Sequence, residues 1–376
     1  MKRPQKTIVI HSPHAGRAIY LSQALAHLQE MGVNIAQVLA IGELDGLPAQ
    51  GKLWKEGGIE VAIAAGGDGL VGGVINHIVQ SGLPLGILPL GTANDIARSL
   101  HIPLDLTQAA EVITVGKEAE VDIGVAQPAE QTPHPANLDP ETPALPQVAP
   151  QKHGFFAHAL TVGLNVQFAR LATNVATRLR YGRLTYPLVA LEVLKQHEAM
   201  EVDLHFEGVA PPKNRLARQQ DTHVSAIEEM QTPLHCRALQ VTVINAPVFG
   251  GQWNLSIPGA DIRDRLLDIV VIEDIELEKL STSITQLFGS QQWHPTSPSS
   301  LREYHVPDHP AELVNIPGIH HIQARGIVIK TSADPQDVTL DGEVRGQTPM
   351  FVCLASEQLR VVVPAQPSLE PLHGTK

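Results

Sequence analysis

The chain has 376 residues, 43% of them hydrophobic and 18% charged, which suits two globular domains rather than a disordered polymer. Its net charge of −12 argues against wholesale nucleic-acid binding, and no apolar run reaches the roughly 20 residues of a membrane helix. Two cysteines, Cys236 and Cys353, give neither a disulfide framework nor a ligand spacing, and the 18 histidines are scattered, so a reducing cytoplasmic setting without a histidine metal site is expected.

The basic start Met1-Lys2-Arg3-Pro4 is followed by too short an apolar run for a signal segment. Thr7 to Ile10 reads as a first strand ending at Ser12-Pro13-His14-Ala15-Gly16. Arg17 to Met31 has Ala18, Leu21, Ala24, Leu25 and Leu28 on one helical face. Val33 to Ile41 contains a second strand, and Gly46 to Gly57 is a loop or short helix. Val61 to Ala65 is apolar and uncharged, the pattern of a strand buried on both faces. Gly66-Gly67-Asp68-Gly69 then turns into a helical run from Leu70 to Val79, and a glycine turn before a helix N-terminus favours phosphate. Leu85 to Leu88, the turn Gly91-Thr92-Ala93-Asn94-Asp95 and a helix from about Ile96 repeat the design. Asp105 to Val115 is a further helix, and Asp122 lies in Val121-Asp122-Ile123-Gly124. Alternating strands and helices with short connections predict a doubly wound parallel sheet, with ligands at the carboxyl ends of its strands.

Residues 127–152 change character: seven prolines among Ala, Gln, Thr and Glu make an insertion or linker between a first domain, 1–126, and a second, 153–364, with a tail at 365–376. Shorter polar inserts lie around Pro211 to Pro233 and Ser290 to Pro310. Most of the second domain reads as antiparallel strands: Glu201 to Phe206, Leu239 to Asn245, Leu267 to Ile272, Ala324 to Thr331, Val338 to Leu340 and Leu359 to Val363. Between them, Arg170 to Lys195 is a long helical stretch with no acidic residue from Asn165 to Leu191. Its Arg170, Arg178, Arg180 and Arg183, interleaved with Tyr181 and Tyr186, read either as a basic face for an anionic membrane or as an ordinary solvated helix.

The pair Gly66-Gly67-Asp68-Gly69 and Gly86-Ile87-Leu88-Pro89-Leu90-Gly91-Thr92-Ala93-Asn94-Asp95, with Leu340-Asp341-Gly342-Glu343 near the end, resembles the catalytic domain of the soluble diacylglycerol kinases, a group that takes in sphingosine and ceramide kinases and more distantly NAD kinase. The resemblance covers roughly 7–126 and 153–364. It implies an ATP-dependent lipid kinase that works peripherally at a membrane surface, in a cleft between a nucleotide domain and a lipid-substrate domain. It implies nucleotide contacts from Ser12, Gly66, Gly67, Asp68, Gly69, Gly91, Thr92 and Asn94, and Mg2+ at Asp68, Asp95 and Asp122. Catalysis would fall to Asp341, Glu343 and Asp68, the base being one of the first two, with a lean to Asp341. Asp341 and Glu343, two apart on an extended strand end, are expected to point the same way.

Four positions depart from the family pattern. Leu70 stands where the family has threonine, Ser12 and Ala15 replace Asn and Ser, and Arg265 in Asp264-Arg265-Leu266-Leu267-Asp268 replaces a glycine, which weakens a structural metal at Asp264 or Asp268. They support an alternative, a lipid- or nucleotide-binding homologue without turnover. An NAD kinase-like enzyme fits less well. The lipid itself carries no motif, and oligomeric state, a homodimer included, stays open.

Overall fold

The structure is a computed structural model that describes residues 6–13, 15–129, 154–164, 198–210, 233–251, 255–257, 259–276 and 316–365. The first sheet takes β1 (Thr7–His11), β2 (Ile35–Ala40), β3 (Val61–Gly66), β4 (Leu85–Pro89) and β5 (Lys117–Val121). Between them run α1 (Leu21–Glu30), α2 (Gly51–Glu56), α3 (Asp68–Ile78), α4 (Asp95–Ser99) and α5 (Leu106–Val115). β3 and β4 are buried at every residue, which explains their uninterrupted apolar sequence. α1 begins only at Leu21, because Ala18–Tyr20 form a 3-10 turn on which Ile19 is 83% exposed. α5 starts where the Asp105 carboxylate accepts the Gln108 N–H at 3.0 Å, a side-chain cap.

The second sheet is built from β6 (Gly124–Pro128), β7 (Gly154–Phe156), β8 (Ala159–Gly163), β9 (Met200–Glu207) and β10 (Leu234–Ile244). A two-residue pair, β11 (Val248–Phe249) and β12 (Leu255–Ser256), stands beside it. It continues with β13 (Leu267–Glu273), β14 (Ile319–Ala324), β15 (Gly326–Thr331), β16 (Asp337–Leu340), β17 (Glu343–Gln347) and β18 (Met350–Leu354). Its order is β17-β16-β8-β10-β9-β15-β18-β6-β7, with β13 and β14 branching from β10, and every pairing is antiparallel. Its inner face holds a separate core that includes Phe156, Leu160, Val241, Ile269, Ile327 and Val352.

The last strand, β19 (Leu359–Val363), returns to the first sheet, whose order is β2-β1-β3-β4-β19-β5. All its neighbours are parallel except β19 and β5. The fold class expected from the sequence, a doubly wound parallel sheet plus an antiparallel β domain, is present. The borders move. β6 pairs in the second sheet, so the chain crosses at 122–123 rather than after 126, and it crosses back at 355–358. Leu359 to Val363, a β-branched run compatible with either sheet, fills the gap between β4 and β5. β5, β6, β7, β8, β11, β12, β17 and β18 lie outside the runs expected from sequence, and β14 meets them only at Ala324. The linker core 130–152, the basic stretch with Arg170, Arg178, Arg180 and Arg183, and most of both shorter inserts lie outside the described residues.

Candidate active site

The order of the first sheet reverses at β1 and β3, and ligands of such sheets bind outside the carboxyl ends of the strands at that point. Three loops converge there. Gly66-Gly67 leaves β3 and caps α3, while Gly91 begins the turn after β4. The two turns touch backbone to backbone, since a Cβ on Gly91 would collide with Gly67 Cα and one on Gly67 would lie 3.0 Å from Gly91 Cα. The loop after β1 closes on the same place: a Cβ on Gly16 would meet the Thr92 hydroxyl at 2.9 Å. Arg17, which sequence reasoning passed over, donates its main-chain N–H to Leu90 O at 2.9 Å and its guanidinium to Leu104 O at 3.1 Å.

The predicted nucleotide residues divide into two kinds. Ser12, Gly66, Gly67, Gly69, Gly91 and Thr92 surround this mouth, with Thr92 exposed. Asn94 does not offer its amide to a ligand. It sits at φ +55 with Oδ1 accepting from Gly91 N–H at 2.9 Å and Nδ2 donating to Gly91 O at 3.0 Å, so its side chain closes the turn. Leu70 folds back over Gly66 and is 7% exposed, part of the first core rather than of the mouth.

Asp68 and Asp95 are neighbours in the two turns. Asp68 Oδ1 accepts the Ile96 N–H at 2.8 Å, tying the first turn to α4. Asp95 Oδ1 accepts the Gly251 N–H at 2.8 Å, tying α4 to the second domain. Burial pushes the Asp95 carboxyl above its ordinary range, the Asp68 charge pushes the same way, and His158, the Gly251 N–H and Arg98 pull against them. Two adjoining carboxylates short of positive charge, beside glycine turns suited to phosphate, fit a Mg2+ ion shared with phosphate oxygens. Asp122 does not fit that set. It is fully buried, and its oxygens accept Arg265 N–H at 2.8 Å, Arg265 Nη1 at 3.1 Å and Gln358 Nε2 at 2.9 Å. The expectation of a third metal carboxylate there is corrected by that arginine.

Asp341-Gly342 forms the two-residue turn of the β16–β17 hairpin, with φ +48 and +85, the positive values such a turn demands and Asp-Gly tolerates. The extended strand end expected from sequence is therefore replaced by a turn, and the two carboxylates separate. Asp341 turns inward: Oδ2 accepts from Ala157 N–H at 2.9 Å, and Oδ1 from His158 N–H at 2.9 Å and Ala159 N–H at 3.1 Å. Burial pushes its carboxyl up, while these N–H donors and His158 draw it back. Glu343 is exposed, pairs with Arg345 at 2.5 Å, and lies 3.4 Å from where a Gly69 Cβ would be, against the first turn of α3.

The second domain thus faces α3, from its first turn at Gly69 to Asn76, across a cleft of about 310 Å³. Gly69, Gly72 and Gly73 form one wall. Phe155, Leu340 and Met350 form an apolar wall opposite, and Glu343 and Arg345 also line it. Gly72 lets α3 approach, since a Cβ there would sit 2.7 Å from Asp341 Oδ2. Asn76 clasps the two domains, donating to Phe155 O at 3.1 Å and accepting Phe155 N–H at 3.0 Å. His158, another residue without a sequence signal, is central: its N–H holds Asp341, its ring Nε2 lies 2.8 Å from Val248 O, and its ring packs on Phe249.

Residues 6–126 match the model of the diacylglycerol kinase catalytic domain, and 159–297 that of the YegS C-terminal NAD kinase beta sandwich-like domain. The chain belongs to the diacylglycerol kinase-like family. Diacylglycerol kinases of Staphylococcus aureus strains JH9 and NCTC 8325 are 34% identical over 121 residues, 31% of this chain and 38% of each relative. The match thus spans about 38% of the curated relatives' length. A Bacillus anthracis str. Sterne protein proposed to be a diacylglycerol kinase superposes with a TM-score of 0.63 at 19% identity, over 98% of this chain and 100% of its own. A crystal structure of a diacylglycerol kinase from the same organism gives 0.58 at 17% identity, over 98% and 100%. At these identities the superpositions establish the fold. Within this diacylglycerol kinase-like chain, the first family match ends inside β6, so its border is not the border between the sheets.

Proposed function

We propose that the protein is an ATP-dependent lipid kinase, transferring the γ-phosphoryl group to the hydroxyl of diacylglycerol or a related lipid alcohol. The observation that carries this reading is the meeting of Glu343 with the first turn of α3, beside the three converging loops. The backbone N–H group at Gly67 and the α3 N-terminus would hold the phosphates, with Gly91, its own N–H closed onto Asn94, letting the second turn pack close. Mg2+ held by Asp68 and Asp95 would supply charge neutralisation on the phosphate oxygens. The lipid hydroxyl, entering along the apolar wall of Phe155, Leu340 and Met350, attacks the γ-phosphorus. Its proton passes to the Glu343 carboxylate, the bond to the β-phosphate oxygen breaks, and ADP leaves. Catalysis here is mostly positioning and electrostatics. Asp341, with three backbone donors on its carboxylate, holds the turn that presents Glu343.

The acceptor lies in a bilayer, so contact is peripheral; among the described residues no helix is long and apolar enough to cross a membrane. Radiolabelled ATP with a panel of mixed-micelle lipids tests the reading. Transfer to a lipid alcohol that is lost in Glu343→Gln is expected. Tight ATP and lipid binding without any transfer would favour the silent-homologue alternative.

A further inference from the structure

The two sheets are joined by two crossings of the chain, β5 to β6 at 122–123 and β18 to β19 at 355–358. The crossings are bonded to one another: Ala355 N–H donates to Ile123 O at 2.7 Å, and Gln358 Nε2 reaches Asp122 Oδ1 at 2.9 Å. Asp122 places a carboxylate with no solvent exposure between them. A buried carboxylate without a positive partner is strongly unfavourable. A single side chain from the second domain answers it. Arg265 Nη1 lies 3.1 Å from Asp122 Oδ1, its main-chain N–H 2.8 Å from Oδ2, and its Nη2 3.0 Å from Ala355 O. One guanidinium therefore touches both crossings.

The backbone shows the cost of placing it. Arg265 has φ +61, the left-handed region that favours glycine, and there only Asn94, His101 and Asp341 join it among the described non-glycine residues. The nearby carboxylates are also engaged by protein donors. Asp264 Oδ1 accepts Leu266 N–H at 3.1 Å, and Asp268 Oδ1 lies 2.6 Å from His321 Nε2 and 3.0 Å from Gln323 Nε2. Asp264 and Asp268, where the family resemblance would put a structural metal, are thus engaged by the protein, and neither they nor Asp122 belong to any group of three metal-ligating side chains among the described residues.

We infer that Arg265 is a built-in cation at the double crossing, doing there what a bound divalent ion would otherwise do, so that the domain junction of this chain is closed without a metal. A planar guanidinium suits the task because it can bond a carboxylate and a carbonyl at once.

The test is thermal unfolding of the full chain, without nucleotide, in EDTA and in millimolar Mg2+. The Asp68→Asn background is run in parallel, so that a cation beside the phosphate turns is not counted. The expected result is an Asp68→Asn midpoint unmoved by EDTA, and a fall of at least about 5 °C when Arg265→Gln is added, as an uncompensated buried carboxylate requires. Arg265→Lys should recover part of that fall, since it restores the charge but not the fork. A midpoint in Asp68→Asn that EDTA lowers would place a metal at the junction and overturn the inference, even if every Arg265 variant failed to fold. An Arg265→Gln midpoint equal to its parent in EDTA would overturn it equally.

Discussion

Asp95 and Asp122 invite comparison. Both are nearly or wholly buried at the border between the two sheets, and each accepts a backbone N–H from the second domain at 2.8 Å. Their surroundings differ. Asp122 faces a guanidinium and an amide donor, and its charge is answered. Asp95 faces Asp68, and the pull of His158 and of Arg98, whose Nε is given to Ala93 O, does not offset its burial. A buried carboxylate completed by the chain itself holds structure together. One left short of positive charge is prepared for a cation that arrives with a ligand. A different contrast separates Asp341, buried and saturated by three main-chain donors, from Glu343, which is exposed, paired with Arg345 and open to the cleft.

The sharpest way to break this comparison is at the hairpin. Glu343→Gln should lower kcat by about 10²–10⁴ with calorimetric ATP affinity and melting unchanged, as loss of a general base does. Asp341→Asn should act mainly on stability, because an amide nitrogen would then face main-chain N–H donors. Equal melting losses in the two variants would erase the distinction.

Asp122→Asn should cost about 2 kcal/mol in denaturant unfolding. That lies below the value for a fully buried pair, since the Arg265 side chain is 44% exposed and can be rehydrated. An unchanged midpoint would show that the charge at Asp122 is not needed. Leu70→Thr should also cost about 2 kcal/mol, through a shortened side chain and a hydroxyl placed in the core against Gly66. The alternative outcome, a lower KM for ATP with stability intact, would put position 70 at the mouth after all.

The smallest effect has the opposite sign. Asp95→Asn keeps an acceptor for Gly251 N–H and removes repulsion with Asp68, so the melting point at pH 7 should rise slightly while turnover falls. Because burial raises the folded-state affinity of Asp95 for its proton, wild-type stability is fully present below the ordinary carboxylate range and declines as pH rises through the raised value. The advantage of Asp95→Asn should therefore shrink toward acid pH. An advantage that grows on acidification would contradict the assignment.

Much of the nucleotide half was legible because its signals are local. Val61 to Ala65 and Leu85 to Leu88 are apolar without interruption because both faces are covered, and the glycines that follow stand where two backbones touch. β5, Lys-Glu-Ala-Glu-Val, gave no such signal, because it is an edge strand with most residues outside the core. Asn94 could be placed in the turn but not given its role. The same amide can serve a ligand or its own loop, and only the αL backbone decides for the loop.

By itself the sequence determined the two kinds of sheet, the glycine turns at strand ends and the carboxylates near them, since strand burial and turn chemistry act over a few neighbouring residues. The tertiary structure alone decided which sheet receives Leu359 to Val363, which way Asp341 and Glu343 face, and which carboxylates are completed by the chain. Arg265 meets Asp122 across 143 positions, and Gly251 meets Asp95 across 156. Such partners are set by how two domains pack, and hydrogen-bond donors of that kind leave no periodicity or spacing in the chain.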